Sequence, residues 1–192
     1  DEAHLTRIRA VRPDVIVFSA ATHSINTVGR LVAQLEDLSA TKVLVGTHGS
    51  ALPEQTLDEI PGLDVIVRGE PEWTVLALVE ALIDGDGICE VEGLHLRAGS
   101  GVFETPDRFH EPDLDALPFP ARDLLPNHLY SSPYSAGVTA IRTTRGCPGR
   151  CTFCDSHLLF GARTRTREPR LVVEEMEECR ERYGTRYFAI ID

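Results

Sequence analysis

Short apolar runs that alternate with amphipathic segments are the feature that most limits how this 192-residue chain can fold. Predicted strands of this kind lie at residues 15–18, 42–47 and 64–68. Each run is apolar through its centre, which is typical of a parallel strand buried on both faces. Apolar residues at helical spacing follow each run, at residues 24–38, 54–60 and 71–83. This repeated alternation predicts an α/β protein with a doubly wound sheet.

Small and polar residues follow the three predicted strands, at residues 19–23, 46–50 and 69–72. Ligands of open α/β sheets bind beyond the carboxyl ends of the strands, and glycine there lets the backbone approach a ligand closely. These segments therefore indicate a binding edge. Tight turns and helix caps explain the same composition equally well.

Three cysteines form the densest group of metal-ligand side chains in the sequence, at Cys147, Cys151 and Cys154. Thiolates are soft ligands for iron–sulfur clusters and zinc. A structural zinc site would take His157 or Cys179 as its fourth ligand. Zinc sites usually pair their ligands as two separated couples, so the compact triplet favours an iron–sulfur cluster over zinc.

Charge and cysteine content exclude several classes of protein. The net charge is −11, and residues 1–141 contain 22 acidic and 9 basic residues, which argues against general nucleic-acid binding. No apolar run approaches a membrane span. Five cysteines, three of them in one motif, do not make a disulfide framework, which favours a reducing, cytoplasmic setting. Cys89 and Cys179 are expected to be buried or half-buried.

Arginines surround the cysteine triplet, where residues 142–192 contain 10 basic and 8 acidic residues. They form either a solvated basic face or a group that offsets an anionic cluster and a carboxylate ligand. The arginines are Arg142, Arg145, Arg150, Arg163, Arg165, Arg167 and Arg170.

The spacing Cys-x-x-x-Cys-x-x-Cys, with Phe153 before the last cysteine, resembles the signature of the radical S-adenosylmethionine (SAM) superfamily. This resemblance implies a [4Fe-4S] cluster on the three cysteines, with one iron left for SAM, and a deoxyadenosyl radical after reductive cleavage. It places Phe153 beside the cluster and the SAM adenine. It also makes Asp192 a SAM contact, although a simple strand terminator explains Asp192 as well.

The strand ends upstream are similar to the cobalamin-binding domain of cobalamin-dependent radical SAM enzymes. The resemblance implies cobalamin contacts from Ser19, Thr22, Gly46, Thr47, His48, Gly69 and Glu70. The Asp-x-His-x-x-Gly motif of corrinoid proteins with a lower histidine ligand does not occur here. Its absence is compatible with this family, and hydrogen bonding or packing is the expected role of His48.

Three segments follow from these patterns. The resemblance implies that residues 1–105 form an incomplete Rossmann-like cobalamin-binding domain and that residues 138–192 form the start of a radical SAM (β/α) partial barrel. Residues 106–137 contain six of the twelve prolines, which predicts a linker. In the last segment, helix 169–183 is expected to show a solvated acidic face, and strand 187–191 to be buried. Because strands are missing at both ends, the chain by itself is expected to be inactive.

The resemblance implies a radical SAM enzyme that transfers a methyl group to an unactivated carbon or phosphorus centre. Cyclisation or rearrangement by the same cofactors is the first alternative. A non-catalytic corrinoid- or zinc-binding module is the second. For an enzyme we expect a small-molecule or biosynthetic-intermediate substrate and an electron donor such as flavodoxin or ferredoxin.

Overall fold

A computed structural model describes residues 2–99, 101–132 and 135–192 of the chain. The chain forms two compact units. The first contains Asp1–His110 and Arg150–Phe160, and the second contains Glu111–Gly149 and Gly161–Asp192. Ser100, and Pro133 and Tyr134 of the predicted linker, lie outside the described residues.

The first unit is built on a five-stranded sheet in the order β1-β2-β3-β4-β5. Strands β1, β2 and β3 are parallel, and β4 and β5 continue the sheet as an antiparallel hairpin. The elements are α1 (Glu2–Val11), β1 (Val15–Ser19), α2 (Ile25–Gln34), β2 (Thr41–Val45), α3 (Thr47–Ala51), α4 (Pro53–Glu59), β3 (Val65–Val67), α5 (Pro71–Asp84), β4 (Leu94–Ala98), β5 (Gly101–Glu104) and α6 (Ser156–Phe160).

Strand periodicity sends alternate side chains to opposite faces of this sheet. Phe18, Leu44 and Ile66 are in register and join a core with residues of α1, α2 and α4. The valines between them, such as Val43 and Val65, join a second core with α5. Each fully buried side chain of this size contributes roughly 1.5–3 kcal/mol to stability. Helices therefore cover both faces, and the α/β prediction is confirmed.

The second unit contains a strand–helix–strand unit in which β8 and β11 are parallel neighbours. The connecting helix α7 ends at Gly184, whose φ of +68° is a left-handed conformation that glycine adopts readily. Its elements are β6 (Ser131–Ser132), β7 (Ser135–Ala136), β8 (Val138–Ile141), β9 (Thr144–Arg145), β10 (Arg165–Thr166), α7 (Pro169–Tyr183) and β11 (Tyr187–Ile190).

Strand β11 corrects one expectation, because it is not buried: Tyr187 is 55% exposed and Ile190 is 54% exposed. Within the part of the chain that the structure describes, β11 pairs with β8 alone, so its second edge is uncovered. Cys89 is also exposed rather than buried. Cys179 is buried, as expected.

Two further expectations need correction. Residues 46–50, interpreted as a strand end, contain helix α3, which begins at Thr47 directly after Gly46. The acidic face of α7 is not solvated throughout, because Glu175 is only 1% exposed. Among the described residues, no helix is long and apolar enough to cross a membrane.

His95 is a buried titratable side chain on the hairpin of the first unit. It is 4% exposed and pairs with Ile66 in the β3–β4 register. Its Nε2 lies 4.0 Å from Glu104 Oε2, while Nδ1 has no hydrogen-bond partner among the residues that the structure describes. Burial and the charge of Arg68 lower the pKa of His95, and the nearby carboxylates of Glu104, Glu54 and Asp107 oppose this shift only partly.

We predict that His95 makes the free energy of unfolding decrease as the pH falls. The unfolded chain takes up the proton near the usual histidine pKa of about 6.5, whereas the folded chain resists it, so stability is lost as the pH falls below that value. Urea unfolding at about pH 7.5 and about pH 5.5 measures the difference. His95→Leu should reduce the pH dependence, and His4→Gln, at an exposed position, should not. An unchanged pH dependence in His95→Leu would contradict this assignment.

Candidate functional site

The carboxyl ends of β1 and β2 are tied together by backbone hydrogen bonds. The Ala20 N–H donates to Val45 O over 3.1 Å, and the His48 N–H donates to Ala20 O over 3.3 Å. The first of these bonds continues the β1–β2 pairing beyond the strands. Residues after the two strands are therefore neighbours at one edge of the sheet, as the parallel arrangement predicts.

Gly46 occupies the tightest position at this edge. Its φ is +107°, and a Cβ added there would lie 2.6 Å from Ala20 O. Contacts between non-bonded heavy atoms are favourable at about 3.5–4.0 Å, so no larger residue fits without movement of the backbone. The requirement for glycine here comes from the approach of two backbone segments within the protein itself.

His48 and Thr22 are two predicted cobalamin contacts that the structure brings together. His48 Nδ1 lies 3.1 Å from Thr22 Oγ1, and the His48 side chain is buried while Thr22 is exposed. A buried imidazole with a hydrogen-bonded nitrogen has a fixed orientation. This arrangement agrees with the expected hydrogen-bonding or packing role of His48.

A hydrogen bond between Gly69 and Ser50 links α3 to the end of β3. The Gly69 N–H donates to Ser50 Oγ over 3.1 Å, and Gly69 has a φ of +68°. Ser50 was not predicted as a site residue; its position one turn after Gly46 on a short helix is the signal that could have found it. Glu70 directly precedes α5, Thr47 begins α3, and Ser19 is an exposed residue at the end of β1.

The segment Arg150–Phe160 folds with the first unit. Its helix α6 packs on α3, and Leu159 O lies 3.0 Å from His110 Nε2. A Cβ added to Gly69 would lie 3.6 Å from Leu159 O. Two of the three motif cysteines, Cys151 and Cys154, therefore belong to the compact unit that carries the predicted cobalamin residues.

The motif cysteines are unpaired thiols. Cys147 and Cys151 are exposed, and Cys154 is half-buried. The Gly149 N–H lies 3.4 Å from Cys147 Sγ, and such hydrogen bonds to sulfur help to tune iron–sulfur clusters. Three accessible soft donors fit the chemistry of an iron–sulfur cluster. Over the described ranges, no three His, Cys, Asp or Glu side chains stand together as a metal site, so the assignment rests on this donor set.

The two alternative zinc ligands have different surroundings. Cys179 is buried on α7, and burial raises the pKa of its thiol despite the opposing charge of Arg122. Because zinc binds the thiolate, this position is a poor one for a fourth ligand. His157 is an exposed residue of α6.

The base of the cysteine loop belongs to the second unit and is closed by backbone pairing. Strands β9 and β10 are antiparallel, with Arg145 opposite Arg165 and Thr144 opposite Thr166. Beyond this pair, the Cys147 N–H donates to Gly161 O over 3.1 Å. The loop therefore starts and ends at fixed points. Phe153, within it, is 91% exposed.

Asp192 binds the chain just before this loop. Its Oδ1 accepts hydrogen bonds from the N–H groups of Thr143 and Thr144 at 2.7 and 2.9 Å, and its Oδ2 accepts one from Thr143 Oγ1 at 2.5 Å. Burial acts to raise the pKa of Asp192, but these hydrogen bonds outweigh it and the pKa lies below its usual value. The carboxylate is thus an anchor for the segment before the cysteines.

The surrounding arginines divide between internal and exposed positions. Arg165 is buried and donates to Glu111 O over 2.6 Å, and Arg167 donates to Glu175 and to Arg142 O. Arg163 is exposed, and so is Arg170, which pairs with Glu174 at 2.8 Å. A solvated basic face therefore describes only part of this group.

Comparison with known proteins places these features in context. The B12 binding domain model matches residues 1–79. An uncharacterized methyltransferase of Pyrococcus horikoshii is 32% identical over 96% of this chain, and an anaerobic magnesium-protoporphyrin IX monomethyl ester cyclase of Cereibacter sphaeroides is 31% identical over 97%. The chain spans only 40% and 31% of the lengths of these two relatives.

A solved structure has the same fold. It is the radical S-adenosylmethionine methyltransferase TsrM from Kitasatospora setae with cobalamin and a [4Fe-4S] cluster bound. The superposition covers 100% of this chain and 39% of TsrM, with a TM-score of 0.76 and 20% sequence identity.

We predict that Gly46→Ala destabilises the first unit by roughly 2 kcal/mol or more, since the left-handed backbone adds strain to the clash with Ala20 O. Gly85→Ala is the matched control. Gly85 has a φ of +75°, but an added Cβ there would meet no described atom within 4 Å. Gly85→Ala should therefore lower the free energy of unfolding by only about 1 kcal/mol. Urea unfolding of both variants measures the difference. Equal losses would show that the approach of Ala20 to Gly46 does not matter.

Proposed function

The resemblance of this chain to cobalamin-binding radical SAM proteins is confirmed by sequence and by fold, and from it we propose that the chain is the cofactor-binding part of a radical SAM methyltransferase. The observation that carries this proposal is the trio of free cysteines Cys147, Cys151 and Cys154. They follow β8 of a β–α–β unit, on a loop closed by β9 and β10. Active sites of (β/α) barrels lie at this end of the strands.

The three thiolates would hold a [4Fe-4S] cluster with one iron open to the amino and carboxylate groups of SAM. When bound, the cluster would supply the electron for reductive cleavage of SAM. The protein's own task is to place and shield these groups. Phe153, which is exposed on the loop, would lie against the SAM adenine. Asp192 would act here as the anchor of Thr143 and Thr144, with a direct contact to SAM as its second proposed role.

Cobalamin would bind at the carboxyl edge of the first sheet. Support comes from the B12 binding domain match to residues 1–79 and from the juxtaposition of strand ends that the hydrogen bonds of Ala20 create. Contacts would come from Ser19, Thr22, Gly46, Thr47, His48, Gly69 and Glu70. His48, oriented by Thr22, would present a fixed imidazole to the ligand.

Methyl transfer is the reaction we favour, because the Pyrococcus relative and TsrM are both named methyltransferases. The acceptor would be an unactivated carbon or phosphorus centre of a small molecule or biosynthetic intermediate. The similarity to a cyclase, at nearly the same identity, supports radical cyclisation as the second candidate. Both reactions need an external electron donor, such as flavodoxin or ferredoxin. Five unpaired cysteines fit a reducing cytoplasm, and the net charge of −11 does not favour nucleic acid as a substrate.

Cys151→Ala tests the proposal. After anaerobic reconstitution with iron and sulfide, the unmodified chain should carry about four iron atoms, as one [4Fe-4S] cluster requires, and the variant fewer than about one. Cys89→Ala removes an exposed cysteine outside the motif and is the matched control, which should load fully. A colourless chain that binds zinc in place of iron would favour the non-catalytic module. Full iron loading of Cys151→Ala would also contradict the proposal.

A further inference from the structure

Glu175 differs from the other acidic residues of α7. It is 1% exposed, whereas its neighbours Glu174 and Glu178 form exposed pairs with Arg170 and Arg182 one turn away. Glu175 lies four residues before the buried Cys179 and therefore on the inner face of the helix. A buried carboxylate is costly unless charged partners and hydrogen bonds compensate it.

Two arginines from separate segments compensate this charge. Arg122 Nη2 lies 2.6 Å from Glu175 Oε1, and Arg167 Nη1 lies 2.5 Å from Glu175 Oε2. Both guanidinium groups are nearly buried. We call Arg122, Arg167 and Glu175 the charge lock.

The arginines of the charge lock also bind the backbone that leads to the cysteines. Arg122 Nη2 donates to Ala140 O over 3.0 Å, on β8. Arg167 Nη1 donates to Arg142 O over 3.1 Å, and its backbone N–H donates to Thr143 O over 2.9 Å. Three carbonyl groups between residues 140 and 143 are therefore held by residues distant in sequence, just before β9 and Cys147.

Packing alone does not hold these side chains. A cavity of about 210 Å³ in the second unit is lined by all three residues of the charge lock, together with Ala140 and apolar side chains of the 114–120 segment. The Arg167 guanidinium lies over the Phe119 ring, 5.5 Å from its centre. Because space remains beside the arginines, their position depends on charged partners, and Glu175 is the carboxylate that both share. Asp115 Oδ1 lies 3.8 Å from Arg167 Nε and is a weaker second partner of that arginine.

We propose that Glu175 is a positioning residue for the thiolate of Cys147. Through Arg122 and Arg167 it holds the end of β8, and so sets where the cysteine loop begins. Without the carboxylate, two like-charged guanidinium groups would face each other across a cavity, and their bonds to Ala140 and Arg142 would be lost as they separate. The effect on cluster binding rests on the proposed function, whereas the effect on the strand end does not.

Glu175→Gln tests the proposal, because glutamine keeps the shape of the side chain and removes its charge. In the metal-free chain, amide hydrogen exchange over residues 140–147 should become faster in this variant. After anaerobic reconstitution, iron affinity should fall about 10-fold, which is typical when a residue that supports metal ligands is lost. Glu178→Gln, which breaks an exposed pair on the same helix, is the control and should leave both measurements unchanged.

The triple variant R122M/E175L/R167M separates the proposed positioning role from a contribution to stability alone. Replacement of a buried ion group by apolar side chains of similar size often preserves stability. We expect this variant to unfold at about the same urea concentration as the unmodified chain, but to retain fast exchange at residues 140–147 and weak iron binding. Normal exchange and normal iron binding in the triple variant would overturn the proposal.

The outcomes distinguish this inference from the proposed function. If the unmodified chain binds no iron, the proposed function fails, and hydrogen exchange alone decides whether Glu175 orders the strand end. If the unmodified chain binds iron and Glu175→Gln binds it equally well, the positioning role is wrong. Circular dichroism confirms that each variant retains its helices before either comparison is made.

Discussion

Everything proposed for the second unit depends on the backbone pairing of Thr144–Arg145 with Arg165–Thr166. This short ladder brings together the two ends of the cysteine loop and fixes where Cys147 stands relative to β8. Closing a flexible loop of this length has an entropic cost that grows slowly with loop length. The two residue pairs between β9 and β10 offset little of that cost. Further interactions at the base of the loop therefore contribute to its closure. Asp192, Arg167 and Arg122 all bind the backbone between Ala140 and Thr144.

The first unit depends on a similar principle, in which backbone geometry places functional side chains. The N–H of Ala20 extends the β1–β2 pairing, and Gly46 lets the chain turn directly into α3. As a result Thr22 and His48, which are 26 residues apart, share a hydrogen bond. The sequence predicts that Gly46 lets the backbone approach a ligand closely. The structure assigns it a different physical role, since the space that a side chain would need is occupied by Ala20 O.

The features that the sequence predicted correctly are those set by local patterns. The apolar runs at Val15–Ser19, Thr41–Val45 and Val65–Val67 form parallel strands, and the helix predicted at residues 169–183 is α7, Pro169–Tyr183. The features missed depend on distant partners. The sequence places Glu175 on the predicted solvated face of α7, because its burial depends on Arg122 and Arg167. These arginines lie 53 and 8 residues before it in the chain. The packing of α6 on α3 likewise joins segments that no local pattern connects. The roles of the individual cobalamin and SAM contacts remain predictions.

Electron paramagnetic resonance of the reduced, anaerobically reconstituted chain, recorded with and without SAM, tests the central claim most directly. If Cys147, Cys151 and Cys154 hold a cluster with one open iron, the reduced protein gives an iron–sulfur signal. That signal would change when SAM is added, because SAM would bind at the iron that the three cysteines leave open. An iron–sulfur signal that SAM leaves unchanged, or a protein that binds no iron at all, would contradict the account.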